Sequence, residues 1–218
     1  MKKILPGVLV ALTLSIASLP SQAQDTQGSA AAGEKKNAMC IGCHGISGYH
    51  TGFPEVYHVP KLSGQSAGYI ASALREYRSG ERKHPSMRTM ASSLSPQEIT
   101  DLAAYYESTG LSSPSAPKAI DTAKGQALVE KGGCQGCHGP NLSKPIAPDY
   151  PVIAGQHADY LYAALRAYKT ENKVQIGRSH PIMSAIAKQF SDDELKDLSK
   201  YVESLPSTLQ TIQPSRFR

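Results

Sequence analysis

Cys40-Ile41-Gly42-Cys43-His44 is a stretch that the chain contains a second time, as Cys134-Gln135-Gly136-Cys137-His138. The two copies use all four cysteines of the 218-residue sequence. Cys-x-x-Cys-His is the attachment signature of a c-type haem, in which two thiols form thioether bonds and the next imidazole reaches one face of the iron. The sequence therefore predicts two covalently bound c-type haems, and a fold that is repeated around them.

The motif also predicts the role of each of its residues. We expect the thioether bonds to form at four cysteines, Cys40, Cys43, Cys134 and Cys137. The iron ligands on the first face are then His44 and His138. A histidine must follow the second cysteine directly, because a haem held by two thioether bonds leaves little freedom in where that ligand arises.

Three other uses of paired cysteines fit less well. A four-thiolate zinc site could draw on both pairs, but 90 residues separate Cys43 from Cys134 and a histidine follows each pair. A thioredoxin-like redox motif would need one pair beside a βαβ pattern. Structural disulfides are possible in an exported protein, but they leave the two histidines unexplained.

The N-terminus has the pattern of an export signal. Lys2 and Lys3 precede a mostly apolar run from Ile4 to Leu19, and Ser21-Gln22-Ala23 offers a cleavage site of small residues. The apolar run is too short for a membrane span. We therefore expect residues 1–23 to be a signal peptide and the mature protein to be periplasmic, either soluble or peripherally associated with a membrane.

The charge of the chain does not indicate a nucleic-acid partner. The formal net charge of +5 includes Lys2 and Lys3, so the mature chain has 21 basic and 18 acidic side chains, or +3. Two haems would add four propionates and bring the protein close to neutrality. The basic pI therefore reflects a mixed, solvated surface.

The repeat extends far beyond the cysteines. Pro60-Lys61-Leu62-Ser63-Gly64-Gln65 corresponds to Pro151-Val152-Ile153-Ala154-Gly155-Gln156, and other matches continue to the end of each unit. A Ser- and Pro-rich stretch between the units predicts an exposed linker. The expected organisation after the signal peptide is a domain at 24–110, a linker at 111–118, a domain at 119–206 and a frayed tail at 207–218.

Within each unit the periodicity is helical. Apolar residues at three- and four-residue steps predict helices at 32–38, 66–79, 125–131 and 158–170. Capping boxes at Ser95 and Ser191 predict the start of the last helix of each unit. No stretch alternates as a strand, so we predict an all-α fold in which haem supplies much of the apolar core.

A haem iron bound by histidine on one side needs a second axial ligand, and methionine sulfur raises the potential and closes the site. Met183 is the only methionine after Met90. Aligning the repeats places Met87 on Met183 and Met90 on Ile186. We therefore predict Met87 and Met183 as distal ligands and Met90 as a core residue. The proline two positions before each ligand is expected to keep its segment out of a helix.

Other polar residues leave alternatives open. His84 and His180 also align, so ligation of each iron by two histidines is possible; otherwise we expect them to form hydrogen bonds near a haem edge or propionate. Tyr77 and Tyr168 could pack on haem or between the units. Two aligned pairs of arginines could bind propionates or lie on solvated helix faces, Arg75 with Arg166 and Arg82 with Arg178. Three histidines without counterparts are expected in loops or on the surface, His50, His58 and His157.

Over residues 30–206 these features resemble the diheme cytochromes c4, which are periplasmic proteins with two tandem class I cytochrome c domains. The resemblance lies in both haem motifs, the repeated Pro-x-(Leu/Ile)-x-Gly-Gln segments and the Met-x7-Ser spacing before the last helix. It implies that the carbonyls of Pro60 and Pro151 orient the haem-ligating histidines. It also implies that the two domains pack face to face with their propionates near the interface. The chain departs from the family in a longer loop at 48–59.

Two irons that each have a histidine and a methionine ligand leave no position for a substrate. We therefore expect an electron carrier and not an enzyme, with a quinol-oxidising complex or a dehydrogenase as donor and a terminal oxidase as acceptor. The alternative is a haem subunit of a flavin- or quinone-dependent dehydrogenase. A diheme peroxidase would need one open iron, and a diheme thiosulfate dehydrogenase would typically use a fifth cysteine.

Overall fold

The structure is a computed structural model that describes residues 27–119, 123–170 and 174–212. The predicted signal peptide, residues 1–23, lies outside these ranges. The elements of the first repeat are α1 (Ala30–Lys36), α2 (Ala38–His44), β1 (His50–Thr51), β2 (Tyr57–His58), α3 (Ala67–Ser79), β3 (Arg82–Lys83), α4 (Pro85–Ser92) and α5 (Pro96–Ser108). Those of the second are α6 (Ala123–Lys131), α7 (Gln135–His138), a 3-10 turn (Pro140–Leu142), α8 (Ala158–Lys169), β4 (Gly177–Arg178), α9 (Pro181–Ala187) and α10 (Asp192–Ser204). The predicted all-α class is confirmed, and the helices follow in the same order in both repeats.

The first and last helices of each repeat cross at a glycine. A Cβ atom on Gly33 of α1 would lie 2.1 Å from the carbonyl oxygen of Asp101 on α5. A Cβ atom on Gly125 of α6 would lie 2.5 Å from that of Asp197 on α10. Because glycine has no side chain, the two backbones can approach this closely in both repeats.

Both predicted capping boxes are present. The hydroxyl of Ser95 accepts a hydrogen bond from the backbone N–H of Glu98 at 3.2 Å, and the Glu98 carboxylate accepts from Ser95 N–H at 2.8 Å. Ser191 and Glu194 repeat the arrangement at 3.2 and 2.7 Å. These caps start the helices whose buried faces form much of each core: Ile99, Leu102, Ala103 and Tyr106 in α5, and Leu195, Leu198 and Val202 in α10.

The prediction of no strands is wrong in detail. β1 and β2 form a short antiparallel hairpin in the first repeat. β3 and β4 pair antiparallel across the two repeats, with Arg82 opposite Arg178. Each strand has two residues, which is too short for an alternating pattern to stand out in the sequence.

The segment after Pro206 is not frayed where the structure describes it. Ser207 and Leu209 are buried. The backbone N–H of Gln210 donates to the carbonyl of Ser63 at 3.0 Å, which returns the segment to the first repeat. Leu111 N–H in the linker donates to the carbonyl of Thr208 at 2.9 Å. The linker is mostly exposed, as predicted, and it is held by hydrogen bonds to residues 204–208.

Candidate functional site

The two motif histidines have the same surroundings. Nδ1 of His44, at the end of α2, lies 2.9 Å from the carbonyl oxygen of Pro60. Nδ1 of His138, at the end of α7, lies 2.9 Å from the carbonyl oxygen of Pro151. A carbonyl only accepts, so Nδ1 carries the proton and Nε2 keeps a lone pair. Burial lowers the pKa of both imidazoles, which keeps them neutral and able to bind a metal ion through Nε2.

The predicted distal methionines occupy equivalent positions in short helices. Met87 is the third residue of α4, and Met183 is the third residue of α9. Pro85 and Pro181 stand at the first helical position, where a missing N–H costs nothing. The expectation that these prolines would keep the segments out of a helix is therefore wrong.

His84 and His180 are the N-caps of α4 and α9. Nδ1 of His84 accepts a hydrogen bond from Met87 N–H at 3.4 Å, and Nδ1 of His180 accepts from Met183 N–H at 3.3 Å. In a neutral imidazole the proton is then on Nε2, so this nitrogen has no lone pair to offer to an iron. The arrangement favours methionine over a second histidine as the distal ligand.

All eight predicted site residues line one cavity of about 640 Å³ that lies between the two repeats. The first repeat contributes Cys40, Cys43, His44 and Met87, and the second contributes Cys134, Cys137, His138 and Met183. Met90, which was predicted as a core residue, also lines this cavity. Its equivalent in the second repeat, Ile186, lines the cavity as well. The two haem motifs, 94 residues apart in sequence, therefore share one apolar space.

No two of the four cysteines form a disulfide bond. Among the described residues, no three of them bring their sulfur atoms close enough to share one ion. The geometry therefore supports neither a four-cysteine zinc site nor a pair of structural disulfides.

Arg82, which is buried, and Arg178, which is half-buried, lie opposite each other where the two repeats meet. Arg82 donates to the hydroxyl of Tyr69 at 3.1 Å, and Arg178 donates to the hydroxyl of Tyr160 at 3.0 Å. Each guanidinium also lies over two tyrosine rings of its own repeat: Tyr69 and Tyr77 for Arg82, and Tyr160 and Tyr168 for Arg178. Both arginines and all four tyrosines line the cavity, whereas the other predicted pair, Arg75 and Arg166, does not.

The charge of this pair is only partly compensated. Arg82 is 4% exposed and has Glu76 at 2.9 Å, but its buried Nε has no hydrogen-bond partner. Within the described part of the chain, no carboxylate pairs with Arg178. Two like charges taken out of water need anions beside them. The propionates of haem fit this requirement, as the apolar walls fit its ring.

Gln65 and Gln156 join the two sites, a role that the sequence alone did not indicate. The side-chain amide of Gln65 pairs with both N–H and C=O of Val152, at 2.8 Å each. The amide of Gln156 pairs with both N–H and C=O of Lys61, at 3.0 Å each. Val152 and Lys61 directly follow the prolines that hold the motif histidines, so each repeat supports the site of the other. The sequence signal that could have identified these glutamines is that both end the same repeated segment, six residues from Pro60 to Gln65 and from Pro151 to Gln156.

Comparison with known proteins agrees with this geometry. A family model described as cytochrome c matches residues 30–110 and 122–206. The cytochrome c4 of Pseudomonas aeruginosa is 32% identical, over 94% of this chain and 100% of the relative. The chain belongs to the cytochrome c4 family. A crystal structure of reduced cytochrome c4 from Pseudomonas stutzeri matches with a TM-score of 0.66 and 30% identity, over 82% of this chain and 99% of that chain.

Membership of the cytochrome c4 family establishes the cofactor. Two cytochrome c domains carry two covalently bound c-type haems, each with one iron. A thiosulfate dehydrogenase electron acceptor of Thiomonas intermedia is also similar, at 30% identity over 88% of this chain and 90% of the relative. No helix among the described residues is long and apolar enough to cross a membrane.

Proposed function

We propose that the protein is a periplasmic electron carrier. It accepts single electrons from a quinol-oxidising complex or a dehydrogenase and delivers them towards a terminal oxidase. The observation that carries this proposal is the shared cavity, since both ligand sets line one space between the repeats. A shared space would bring the two haems close together, which supports electron exchange between the two domains.

The geometry of each repeat supports the following proposal for the residues that hold the two haems. Thioether bonds would form at Cys40, Cys43, Cys134 and Cys137, and the irons would be bound by His44 with Met87 and by His138 with Met183, all of which line the cavity. When bound, each haem iron supplies reversible one-electron chemistry. The Pro60 and Pro151 carbonyls fix the orientation of the imidazoles and favour Nε2 as the ligating atom.

The remaining cavity residues set the electrostatics of the two sites. Arg82 and Arg178 place two permanent positive charges where the propionates of both haems can reach them. Helices α4 and α9, each started by a histidine cap, present the methionines from a folded segment and not from an open loop. A rigid ligand set changes little between the oxidised and reduced states, and this suits an electron carrier.

A redox titration of the purified exported protein tests the proposal. Mass spectrometry should find two covalently attached haems, and optical and magnetic spectra should identify methionine ligation at both irons. The reduced protein should not bind carbon monoxide and should show no peroxidase turnover. A single haem, or one iron that is open at rest, would contradict the proposal.

A second candidate is that the direct donor is a substrate dehydrogenase, with which this chain would act as the haem subunit or acceptor. The similarity to a thiosulfate dehydrogenase electron acceptor favours it. Stopped-flow reduction by a purified thiosulfate dehydrogenase with thiosulfate, compared with reduction by a quinol-oxidising complex, would separate the two donors. Co-purification of a stoichiometric dehydrogenase chain would support the subunit arrangement.

A further inference from the structure

The longer loop of the first repeat carries a histidine cluster that the haem sites do not use. His50 on β1 and His58 on β2 are direct cross-strand partners, and their ring centroids lie 3.7 Å apart. Asp159, near the start of α8 in the second repeat, completes the cluster. Among the described residues, this is the one group of at least three His, Cys, Asp or Glu side chains whose ligand atoms all lie within 4.8 Å of one another.

The separations in this cluster match those around a metal ion. Oδ2 of Asp159 lies 2.7 Å from Nδ1 of His58 and 4.0 Å from Nε2 of His50. Ligand atoms about 2.0–2.2 Å from a tetrahedral zinc ion lie about 3.3–3.6 Å from one another. The two measured distances bracket this value, so small side-chain rotations are sufficient to place all three atoms around one ion.

Hydrogen bonds orient the ligand groups of His50 and Asp159, and Nδ1 of His58 points at the same carboxylate. Nδ1 of His50 lies 2.8 Å from the carbonyl oxygen of Gly48, so this nitrogen carries the proton and Nε2 is left with its lone pair. The Asp159 carboxylate accepts from the backbone N–H of Tyr160 at 2.7 Å through Oδ1, and from that of His58 at 3.0 Å through Oδ2. Imidazoles and carboxylates held in this way are characteristic of metal sites in proteins.

The cluster is open to solvent on one side and supported on the other. The side chains of His50, His58 and Asp159 are 44, 34 and 39% exposed, which leaves an entry path for an ion. The ring of His157 stacks on that of His58 with centroids 4.7 Å apart, and its Nδ1 lies 4.0 Å from the Glu203 carboxylate. His157 thus supports a ligand ring and is not part of the converging set.

We propose that His50, His58 and Asp159 form a binding site for one divalent first-row transition-metal ion of the zinc type. Nε2 of His50, Nδ1 of His58 and Oδ2 of Asp159 are its protein ligands, and water completes the coordination. In this structure Nδ1–H of His58 donates to Asp159 Oδ2. Binding requires the other neutral tautomer of His58, in which this proton has moved to Nε2 and Nδ1 offers its lone pair to the ion. The ion links the β1–β2 hairpin of the first repeat to α8 of the second, and so ties down the loop whose Tyr49, Thr51 and Tyr57 line the haem cavity.

Zinc titration of the chelator-treated diheme protein tests this site. Calorimetry should show one Zn²⁺ bound per chain, and zinc-edge X-ray absorption should show nitrogen and oxygen ligands at about 2.0–2.1 Å that include imidazole. Mg²⁺ should not compete, because it prefers an octahedral shell of oxygen ligands. Absence of stoichiometric zinc binding, or equal competition by Mg²⁺, would overturn the proposal.

Variants of the three ligands locate the site. His50→Gln, His58→Gln and Asp159→Asn should each weaken zinc binding at least about tenfold, which is the lower end of the loss expected even for residues that only support a ligand. Glu55→Gln is the matched control, since Glu55 lies in the same loop and pairs with Arg166 of α8 at 3.1 Å without belonging to the cluster. It should leave zinc affinity within about twofold of the unmodified protein.

The readout is independent of electron transfer. The haem content and visible spectra of every variant should remain those of the unmodified protein, which shows that the fold is intact. Zinc affinity unchanged in all three ligand variants would place the ion elsewhere and overturn the proposal. A loss in Glu55→Gln equal to that in the ligand variants would attribute the effect to a loosened interface and would also overturn it.

Discussion

At the scale of single residues, the position of each side chain on its helix decides its chemistry. Met87 and Met90 both line the cavity, but only Met87 has the environment of Met183. Met87 and Met183 each donate a backbone N–H to the capping histidine three residues earlier. The shared cap and register therefore support Met87 over Met90 as the proposed iron ligand.

Met183→Ala should lower the potential of one haem and open its iron to added ligands. The loss of the thioether removes a ligand that stabilises the reduced iron, and we expect a fall on the order of 0.1 V or more, a part of the ~0.8 V range that axial ligands cover. Redox titration and carbon monoxide binding measure both effects. Met90→Ala is the control and should leave both irons closed; unchanged spectra in Met183→Ala would rule out Met183 as a ligand.

At the scale of helices, hydrogen-bonded caps position the functional side chains and the helices behind them. The capping boxes at Ser95 and Ser191 start α5 and α10, against which α1 and α6 pack at glycine contacts. α1 and α6 lead into the haem motifs. A cap at one end of the repeat therefore supports the position of the motif at the other end.

Ser191→Ala should lower the free energy of unfolding of the holoprotein by about 1 kcal/mol. The substitution leaves the backbone N–H of Glu194 without its acceptor and removes one half of the capping box. Ser191→Thr retains a hydroxyl and should recover most of the loss. Denaturant unfolding of both variants measures the difference, and equal stability of Ser191→Ala and the unmodified protein would contradict the role of the cap.

The first capping box should also make stability depend on acid. A hydrogen bond from Lys36 and the bonds from Ser95 lower the pKa of the Glu98 carboxyl from 4.5 to about 2. A lowered folded-state pKa means that the stabilisation is fully present above pH 4.5 and is lost as the pH falls towards 2. Glu98→Gln should therefore flatten part of the decline in unfolding temperature between these pH values. An identical decline in the variant and the unmodified protein would contradict the assignment.

At the scale of the whole molecule, each repeat donates a glutamine side chain that pairs with the backbone of the other repeat. Gln65 pairs with the backbone beside Pro151, and Gln156 pairs with the backbone beside Pro60. The two prolines hold the motif histidines. Because both glutamines are buried, neither pair of backbone groups can exchange its partner for water without opening the interface.

Gln65→Ala should destabilise the holoprotein by about 1–3 kcal/mol, because it leaves the buried N–H and C=O of Val152 unpaired. It should also shift the potential of the second haem, whose histidine is held by the adjacent proline. Denaturant unfolding and redox titration measure the two effects. The control is Gln126→Ala on the exposed surface of α6, where the change in stability should stay within about 0.5 kcal/mol. Matching results for the two variants would refute the supporting role of Gln65.

The sequence by itself determined the local features: the two haem motifs, the helical class, the capping boxes and the register that pairs Met87 with Met183. These depend on residues within a few positions of one another, and the duplication doubled each signal. Only the tertiary structure decided that the two ligand sets share one cavity, that Arg82 meets Arg178, and that Gln65 and Gln156 cross between repeats. It also gathered His50, His58 and Asp159, which share no local pattern. Such contacts depend on how two separately encoded surfaces fit together, and no spacing along the chain records that fit.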